Sequence, residues 1–573
     1  MVNIQIDGQS LQVEEGMTIL QAARLADIKI PTLCYHEDQK IKSVCRICVV
    51  EVEGQRLLQA ACSYPVSEGM VIHTASPKVI QARRNILELI LARHPQECLT
   101  CNKNGYCELQ DLTQELNMAR PLRYPLDRRP HTVDDGSTSI VRDPAKCILC
   151  TRCIEACGDV QTIAVIGKEN RGFDTIVVPP YGKNMSETVC VNCGQCVQVC
   201  PVGALTIHDD TQKIYDNMRA GKLLVAQVAP SVRTTIGEAL GEEPGTVSTG
   251  RLVTAMKKIG FDRVFDSDFS ADLTIMEEGY ELLDRLKNGG TLPMITSCCP
   301  AWVKFCETYN PKYTDHLSSA KSPQQMFGAV IKTYFAQKEQ IDPKDICSIS
   351  IMPCTAKKFE CQRPEMNDSG QQDVDISITV QELAKMIRES GINFADLPET
   401  PFDNPFGLGS GAGEIFAATG GVMEAALRTV YEAATGKTLE KVEFHDVRGL
   451  EGIREAQVDL DGTIVKLAVV HGLGNAREMM RKVRAGKADY HFIEVMACPG
   501  GCIGGGGNPI RSWKKVKART KSVYQQDVDL PVRKSHETAA IKEIYGEFLE
   551  KPLSDKAHHL LHTSYTNRQD LLR

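Results

Sequence analysis

The sequence predicts a multidomain protein of mixed α/β and α+β class, with small cysteine-rich modules in its N-terminal part and an α/β domain in its C-terminal part. The chain has 573 residues, whereas a single hydrophobic core stops growing at about 250–300 residues. Most of its 23 cysteines fall in groups with two-residue gaps. From residue 222, apolar segments such as LLVAQVAPSV alternate with amphipathic segments such as TGRLVTAMKKIG, which favours strands alternating with helices.

Composition excludes several classes of protein. The formal net charge of −7 argues against a nucleic-acid partner held by a basic face. No run of about 20 apolar residues is present, so we expect no membrane span. The N-terminal MVNIQIDGQSLQV alternates like a strand and lacks the features of a signal peptide, which predicts a cytoplasmic protein. Clustered cysteines in a large chain without a signal peptide favour metal ligation over disulfides.

Residues 1–78 are predicted to form a β-rich module. A hairpin turns at Asp7-Gly8. Thr18 is predicted to cap the segment that follows, in which apolar residues recur at helical spacing. Four cysteines with one two-residue gap in such a module fit a 2Fe-2S domain of the plant-type ferredoxin-like class. A structural zinc site is the weaker alternative, because zinc prefers two tight cysteine pairs. The predicted ligands are Cys34, Cys45, Cys48 and Cys62.

Residues 79–137 carry one histidine and three cysteines in the pattern H-x3-C-x2-C-x5-C: His94, Cys98, Cys101 and Cys107. This set alone can hold zinc or a 4Fe-4S cluster. Its position between two iron–sulfur motifs favours the 4Fe-4S cluster. The following connector is predicted to be a solvated loop with a run of basic residues, Arg120, Arg123, Arg128 and Arg129.

Residues 138–209 contain the most specific motif, two C-x2-C-x2-C-x3-C runs, the second followed by proline. This is the pattern of bacterial ferredoxins with two 4Fe-4S clusters, in which the fourth cysteine of each run ligates the other cluster. One predicted ligand set is Cys147, Cys150, Cys153 and Cys200. The other is Cys190, Cys193, Cys196 and Cys157. Together with the His94 set, they predict three accessory 4Fe-4S clusters beside one 2Fe-2S cluster.

Residues 210–573 carry three distant cysteine loops at the ends of predicted strands: TSCCPAW, MPCTAKK and MACPGGC. No single loop has enough thiols for a cluster. Together they supply Cys299, Cys354, Cys498 and Cys502, the four thiolates that a 4Fe-4S cluster requires. Ligands usually bind at the carboxyl ends of parallel strands, so the sequence predicts a cluster that only the folded domain assembles.

The loops TSCCPAW, MPCTAKK and EVMACPGGCIGGGG resemble the signatures of the FeFe (iron-only) hydrogenases. The upstream motifs resemble, in order and type, the accessory clusters of clostridial-type members, so the resemblance covers essentially the whole chain. It implies reversible H2 oxidation and proton reduction at a six-iron H-cluster. In that cluster, a 4Fe-4S cubane shares the Cys502 sulfur with a di-iron unit carrying CO, cyanide and azadithiolate.

The same resemblance implies roles for single residues. By this resemblance, Lys357 corresponds to a hydrogen-bond donor beside the di-iron unit. The residues that correspond to the pocket around the unit are Pro230, Ser231, Gln324, Met352, Phe416 and Met496. A proton route is matched to Cys298, followed in order by Glu281, Ser318 and Glu278, and it reaches the surface near Arg285. Without the resemblance, the two glutamates would predict only a solvated helix face. Near the C-terminus, His558, His559 and His562 predict a polar helix end.

The spacing of the first cysteine set resembles the module of complex I at least as closely as that of simple ferredoxin-dependent hydrogenases. This indicates the catalytic subunit of an electron-bifurcating complex, with ferredoxin and with flavin- and NAD(P)-binding iron–sulfur subunits as partners in a hetero-oligomer. A stand-alone, ferredoxin-linked enzyme is one alternative. The others lack H2 chemistry: a relay or cluster-assembly protein, or the iron–sulfur subunit of an NADH dehydrogenase-type complex. Cys298, Lys357 and the glutamate pair favour the enzyme, because a relay needs no proton route.

Overall fold

The computed structural model of the chain describes residues 1–118, 123–124 and 131–572. Three arginines of the predicted connector, Arg120, Arg128 and Arg129, therefore lie outside the described residues. The chain folds into two compact units. The first comprises Met1–Val160, Ala164–Met185 and Val199–Thr206, and the second comprises Gln161–Ile163, Ser186–Gln198 and Ile207–Arg573.

The first unit is built on small sheets with short helices. Its strands are β1 Val2–Ile6, β2 Gln9–Val13, β3 Val49–Val52, β4 Gln59–Ala60, β5 Met70–His73, β6 Ile140–Arg142, β7 Gly167–Glu169, β8 Ile176–Val178 and β9 Leu205–Ile207. Its helices are α1 Ile19–Leu25, α2 Pro77–Leu91, α3 Glu108–Glu115 and α4 Arg152–Glu155. The largest sheet has the strand order β2-β1-β5-β3-β4, and β6-β9 and β7-β8 form two-stranded sheets.

The N-terminal hairpin and its helix form as the sequence predicts. Ile4 pairs with Leu11 across the hairpin, and the turn places Asp7 at φ 49° and Gly8 at φ 87°. Thr18 caps α1 in a capping box with Gln21, so two backbone N–H groups at the helix start are satisfied. The sheet and α1 share one buried apolar cluster, which gives this module its own core.

The second unit contains two four-stranded sheets. Its strands are β10 Leu223–Val228, β11 Arg263–Asp266, β12 Met294–Ile295, β13 Ile346–Met352, β14 Ile376–Thr379, β15 Ile453–Leu460, β16 Thr463–His471 and β17 Phe492–Met496. The order β11-β10-β13-β14 is parallel throughout. In the order β12-β17-β16-β15, only β15 runs antiparallel to its neighbour. The cysteine loops therefore follow parallel strands, which confirms the predicted α/β architecture.

The helices of the second unit surround both sheets. They are α5 Gln195–Gln198, α6 Thr211–Arg219, α7 Pro230–Arg233, α8 Ile236–Ala239, α9 Thr249–Ile259, α10 Asp268–Asn288, α11 Pro300–Tyr309, α12 Pro323–Val330, α13 Ala336–Glu339, α14 Ala356–Glu360, α15 Val380–Glu389, α16 Gly411–Glu414, α17 Gly421–Thr435, α18 Leu473–Arg484, α19 Trp513–Asp529, α20 Ala539–Ile544 and α21 Asp555–Leu561. Within the described part of the chain, none of the helices has the length and apolar character needed to cross a membrane.

Both faces of the all-parallel sheet are buried, as is typical of such sheets. Val228 and Ile349 belong to an apolar cluster on one face. Val225 and Phe265 belong to a second cluster on the other face, where the Phe265 ring packs edge-on against the ring of Phe406 at a centroid distance of 5.0 Å. This rigid support fixes the strand ends, and the loops that follow them, in place.

Candidate active site

The three predicted cysteine loops follow strands that end on the same side of their sheets. Cys299 lies between β12 and α11, Cys354 follows β13, and Cys498 follows β17. Cys502 is reached through Gly500 and Gly501, which have φ values of 81° and 93°. A Cβ atom on Gly501 would lie 2.5 Å from the backbone nitrogen of Thr419, so only glycine fits this close approach.

The four cysteine thiols line one cavity of about 90 Å³. Every other residue that the sequence assigned to the pocket lines the same cavity: Pro230, Ser231, Cys298, Gln324, Met352, Lys357, Phe416 and Met496. The structure adds residues that the motifs did not single out, among them Ser267, Ala271 and Val422. The wall is therefore apolar except for the thiols and a few polar side chains.

The donor set fits a metal cluster with anionic ligands. Burial raises the pKa of Cys354 to about 12 and raises the pKa of Cys299. Thiolate ligation thus depends on the compensating charge of bound metal, which displaces the thiol protons. The hydroxyl oxygen of Ser231 is buried and has no hydrogen-bond partner among the described residues, and a buried polar group left unpaired is costly. A polar ligand group in the cavity would satisfy it.

Lys357 is the charged donor in the cavity wall. Its Nζ donates to Glu360 Oε2 at 2.8 Å and to the carbonyl oxygen of Cys298 at 3.1 Å. Burial lowers the pKa of Lys357, but the charge and hydrogen bond of Glu360 more than offset this and raise it above its usual value. Lys357 is therefore held as an ammonium group in an apolar cavity. Glu360 was not predicted, although its three-residue spacing from Lys357 on one helix was a usable signal.

Gln324 is fixed by polar groups beneath the cavity. Its Oε1 accepts from the hydroxyls of Ser350 at 2.7 Å and Ser377 at 3.3 Å. Its Nε2 donates to Glu360 Oε2 at 3.1 Å. Gln324 and Lys357 thus share Glu360, so the two polar residues of the wall are positioned by one buried carboxylate.

Cys298 and two glutamates of α10 form a series of titratable side chains between the cavity and the partly buried Arg285. Burial raises the pKa of the Cys298 thiol well above its usual value, and Glu278 adds to this effect. Burial, followed by the charge of Glu281, raises the pKa of Glu278 to about 8. Ser318 lies near Glu278 and lowers its pKa, but its Oγ donates to Glu281 Oε2 at 2.7 Å. Neither carboxylate oxygen of Glu278 has a hydrogen-bond partner among the described residues. Arg285 donates to Glu281 Oε1 at 2.6 Å. The predicted order of the two glutamates is therefore wrong: Glu278 lies on the Cys298 side of the series and Glu281 on the Arg285 side.

The first unit holds three complete sets of predicted ligands. Cys34 interacts with Cys45, and Cys48 interacts with Cys62. The imidazole-containing set His94, Cys98, Cys101 and Cys107 lines one small cavity. Another cavity is lined by Cys147, Cys150, Cys153 and Cys200. For the remaining set, Cys157 lies in the first unit and Cys190, Cys193 and Cys196 lie in the second, so this set stays a prediction.

Backbone N–H groups near these cysteines point at the sulfur atoms. Leu149, at φ 57°, donates its N–H to Cys147 Sγ at 3.4 Å. Asn192, at φ 61°, does the same to Cys190 Sγ at 3.4 Å. Left-handed backbone at non-glycine residues is uncommon, and N–H groups directed at sulfur tune the potential of a bound cluster.

Family models match five segments of the chain. Their descriptions are 2Fe-2S iron-sulfur cluster binding domain for residues 1–77, NADH-ubiquinone oxidoreductase-G iron-sulfur binding region for 83–121, 4Fe-4S dicluster domain for 146–204, iron only hydrogenase large subunit, C-terminal domain, for 222–506, and iron hydrogenase small subunit for 514–568. The hydrogenase models thus cover the half of the chain that contains the four-thiol cavity.

The NADP-reducing hydrogenase subunit HndD of Solidesulfovibrio fructosivorans is 50% identical over 585 residues, covering 100% of both proteins. The chain belongs to the FeFe hydrogenases. Iron hydrogenase 1 of Clostridium pasteurianum is 41% identical to this hydrogenase over 575 residues, covering 99% of it and 100% of the relative. A solved structure of an FeFe-hydrogenase HydA1 variant from Chlamydomonas reinhardtii matches with a TM-score of 0.56 and 41% identity, covering 62% of this hydrogenase and 98% of that chain.

Membership confirms the predicted enzyme class and cofactor types. The hydrogenase carries 2Fe-2S and 4Fe-4S domains and an H-cluster domain, and its reaction is H2 chemistry at the H-cluster. The zinc alternatives therefore have no support. A relay subunit without H2 chemistry is not favoured, because the match to the NADH-ubiquinone oxidoreductase subunit is confined to residues 83–121.

One sequence interpretation of this hydrogenase is wrong. His558 and His559 are exposed, as predicted for a polar helix end, but His562 is 4% exposed. Its ring nitrogens lie 2.8 Å from Ser319 Oγ and 3.0 Å from Glu277 Oε2. These partners are far away in sequence, so local periodicity carried no signal for its burial.

Proposed function

We propose that this hydrogenase interconverts H2 with two protons and two electrons, and that Cys299, Cys354, Cys498 and Cys502 hold its H-cluster. When bound, the H-cluster supplies the metal site at which H2 is formed or split. The observation that carries this proposal is the meeting of a four-thiol cavity with a series of proton-carrying side chains that begins at Cys298.

Protons are proposed to enter near Arg285 and to pass along Glu281, Ser318 and Glu278 to the Cys298 thiol. Each member offers an atom that can both accept and release a proton, except Arg285, which orients Glu281 through its hydrogen bond of 2.6 Å. The Ser318 hydroxyl donates to Glu281 and lies near Glu278, whose buried oxygens have no hydrogen-bond partner among the described residues. Rotation of the hydroxyl toward Glu278 can therefore pass a proton between the two carboxylates. A pKa of about 8 for Glu278 suits transfer near neutral pH.

The other cavity residues are proposed to bind and shield the H-cluster. Lys357 and Ser231 would donate hydrogen bonds to its anionic ligand groups, with charge assistance from the ammonium. Met352 and Met496 provide soft, adaptable packing, while Phe416 and Pro230 exclude water. Gln324 is held so that its amide remains at the wall beside Lys357.

Electrons are proposed to travel through the N-terminal clusters: one 2Fe-2S cluster and three accessory 4Fe-4S clusters. The domain boundaries that we propose are 1–78, 79–137, 138–209 and 210–573. Cys157 would complete the cluster of Cys190, Cys193 and Cys196. This last cluster lies next to the H-cluster in the proposed order, and the interaction of Cys193 with Cys498 supports a short electron step within the second unit.

We propose that the chain is the catalytic subunit of a hetero-oligomer with flavin- and NAD(P)-binding iron–sulfur subunits, and that the complex also uses ferredoxin. Full-length similarity to a subunit of an NADP-reducing hydrogenase supports this. A stand-alone enzyme is the second candidate, supported by full-length similarity to iron hydrogenase 1. None of the 23 cysteines, all of which lie in the described part of the chain, is in a disulfide, which fits the reducing cytoplasm that we propose as its location.

Purified, cluster-loaded enzyme tests both parts of the proposal. We expect infrared bands of metal-bound CO and cyanide and H2-dependent reduction of methyl viologen by the chain alone. Reduction of NADP+ should require addition of the flavin-containing subunits of the native complex. Reduction of NADP+ by the chain alone would overturn the partner proposal, and absence of the infrared bands in active enzyme would overturn the H-cluster assignment.

A further inference from the structure

Residues 317–321 run as an extended link between β12 and the C-terminal end of the chain. On one side, the backbone N–H of Ser318 donates to the carbonyl oxygen of Ile295 at 2.8 Å. On the other side, the N–H of Thr563 donates to the carbonyl oxygen of Ser319 at 2.8 Å. Ser318, the one residue of the proposed proton route in this link, is thus held between a sheet edge and the C-terminal segment.

His562 fixes this link through its side chain. The ring Nδ1 lies 2.8 Å from Ser319 Oγ, and the ring Nε2 lies 3.0 Å from Glu277 Oε2. Glu277 is fully buried and also accepts hydrogen bonds from the Tyr545 hydroxyl and from the N–H of Leu553. With both nitrogens bonded, the imidazole has one orientation, because its two nitrogens differ in their roles.

Ser319 joins His562 to the proton route. Its backbone N–H donates to both oxygens of Glu281, at 3.2 and 3.1 Å. The same C-terminal segment reaches the neighbouring Ser318, because the Tyr565 hydroxyl donates to the Ser318 carbonyl oxygen. The two residues that hydrogen-bond Glu281 from residues 317–321 are therefore both held by the end of the chain.

Two neighbouring carboxylates of α10 face different surroundings, one the cavity and the other His562. Glu277 and Glu278 are neighbours in sequence, so they point about 100° apart around the helix. Glu278 interacts with Cys298 at the cavity, whereas Glu277 bonds His562. Burying a carboxylate costs free energy unless it is paired and hydrogen-bonded. Two apolar side chains in place of Glu277 and His562 would fill the same space without that cost. This indicates that the role of the imidazole is its polar contact with Ser319.

We propose that His562 is a positioning residue for proton transfer: it holds Ser319, and through the Ser319 N–H it holds Glu281 in line with Ser318. The inference rests on the proposed proton route through Glu281. It adds the C-terminal segment to that route as its support, although no atom of His562 carries the transferred proton.

Two matched substitutions separate the contacts of the ring. In His562→Asn the amide lies near the position of Nδ1 and keeps the contact with Ser319, whereas in His562→Gln it lies near Nε2 and keeps the contact with Glu277. We expect His562→Ala and His562→Gln to lower H2 evolution about ten-fold or more and to raise the solvent deuterium isotope effect, since small misplacements are costly in catalysis. His562→Asn should retain most of the turnover.

The control variant is His558→Ala, which removes an exposed ring stacked on His562 and should leave turnover unchanged. Iron content and the infrared bands of CO and cyanide should be the same in all variants. Wild-type turnover and isotope effect in His562→Gln, equal losses in His562→Asn and His562→Gln, or loss of iron together with activity would each overturn the positioning role.

Glu281→Gln, measured in the same series, distinguishes this inference from the proposed route. If Glu281→Gln keeps wild-type turnover, the proton route itself is wrong, and the role of His562 is overturned with it. If Glu281→Gln loses turnover while His562→Ala and His562→Gln do not, the route stands and only the role of His562 is overturned.

Discussion

Lys357 donates a hydrogen bond of 2.8 Å to Glu360, three residues further along α14, and this pair places an ammonium group in the wall of the four-thiol cavity. Both side chains are almost fully buried. Removing one partner of a buried pair leaves an uncompensated charge, which is strongly destabilising. The pair is therefore a positioning device for the donor, and each partner depends on the other.

Replacing Glu360 tests this dependence. In Glu360→Gln the burial of Lys357 is no longer offset, so its pKa should fall, by an amount worth about 1.4 kcal/mol for each pKa unit. We expect H2 evolution to drop about ten-fold and the infrared bands of cyanide to shift or weaken. Glu389→Gln, which alters an exposed pair with Lys385, is the control. Unchanged bands in Glu360→Gln would contradict the proposed contact of Lys357 with the H-cluster.

The Cys298 thiol is tested by removing it. Cys298→Ala should keep the iron content, because Cys298 is not one of the four proposed ligands, but should lower turnover by about 10²–10⁴, the usual contribution of a positioned proton-transfer group. Cys306→Ala removes another buried thiol, on α11 away from the cavity, and should affect stability rather than turnover. H2 evolution and iron content should be measured on both variants. Near-normal turnover of Cys298→Ala would contradict the proposed proton relay through this thiol.

The position of the cysteine loops at strand ends could be predicted from the amino-acid sequence, because the signals for it are local. Each ligand lies in a short loop directly after a strand, so hydrophobic patterning alone was enough to place Cys299, Cys354 and Cys498 at strand ends. The α/β alternation and the hairpin at Asp7-Gly8 were likewise visible in hydrophobic periodicity.

The contact of Ser319 with His562, which we propose supports the proton route, could not be predicted in the same way. Ser319 and His562 are 243 residues apart, and their segments pair at the isolated bridge Ala320–His562 rather than as strands with an alternating pattern. Such long-range pairing leaves no periodic signal in either segment. For the same reason, three histidines near the C-terminus could not be separated into two exposed residues and one buried residue.

Glu278 predicts an unusual dependence of stability on pH. Its pKa is raised from 4.5 to about 8 in the folded protein, so between these values the unfolded state has lost a proton that the folded state retains. Stability therefore falls as pH rises from about 4.5 through about 8. The variant Glu278→Gln has no carboxyl group to titrate at this position, so it should not show this loss of stability. We expect the variant to be less active by about 10² or more, yet to unfold at a higher temperature than wild type at pH 8.5 and not at pH 5.

Thermal unfolding of both proteins at the two pH values, with H2 evolution at pH 7, measures this effect. Glu547→Gln is the control, because Glu547 is exposed and its pKa is lowered by the hydroxyl of Tyr334 rather than raised. An identical difference in unfolding temperature between wild type and Glu278→Gln at both pH values would contradict the raised pKa.

Gly501 sets the position of Cys502, and Gly501→Ala should displace it. The residue has φ 93°, and an added Cβ would lie 2.5 Å from Thr419 N and 3.1 Å from Met496 Sδ. Because backbone cannot yield as a flexible side chain does, the loop must move and carry the Cys502 thiol with it. We expect the variant to lose the infrared bands of CO and cyanide and most of the turnover, while the N-terminal clusters keep their electron paramagnetic resonance signals. Gly546→Ala, where an added Cβ meets nothing within 4 Å, should behave as wild type. Full infrared bands in Gly501→Ala would show that the loop tolerates the shift, contrary to the close packing of the cysteine loops on which the cavity depends.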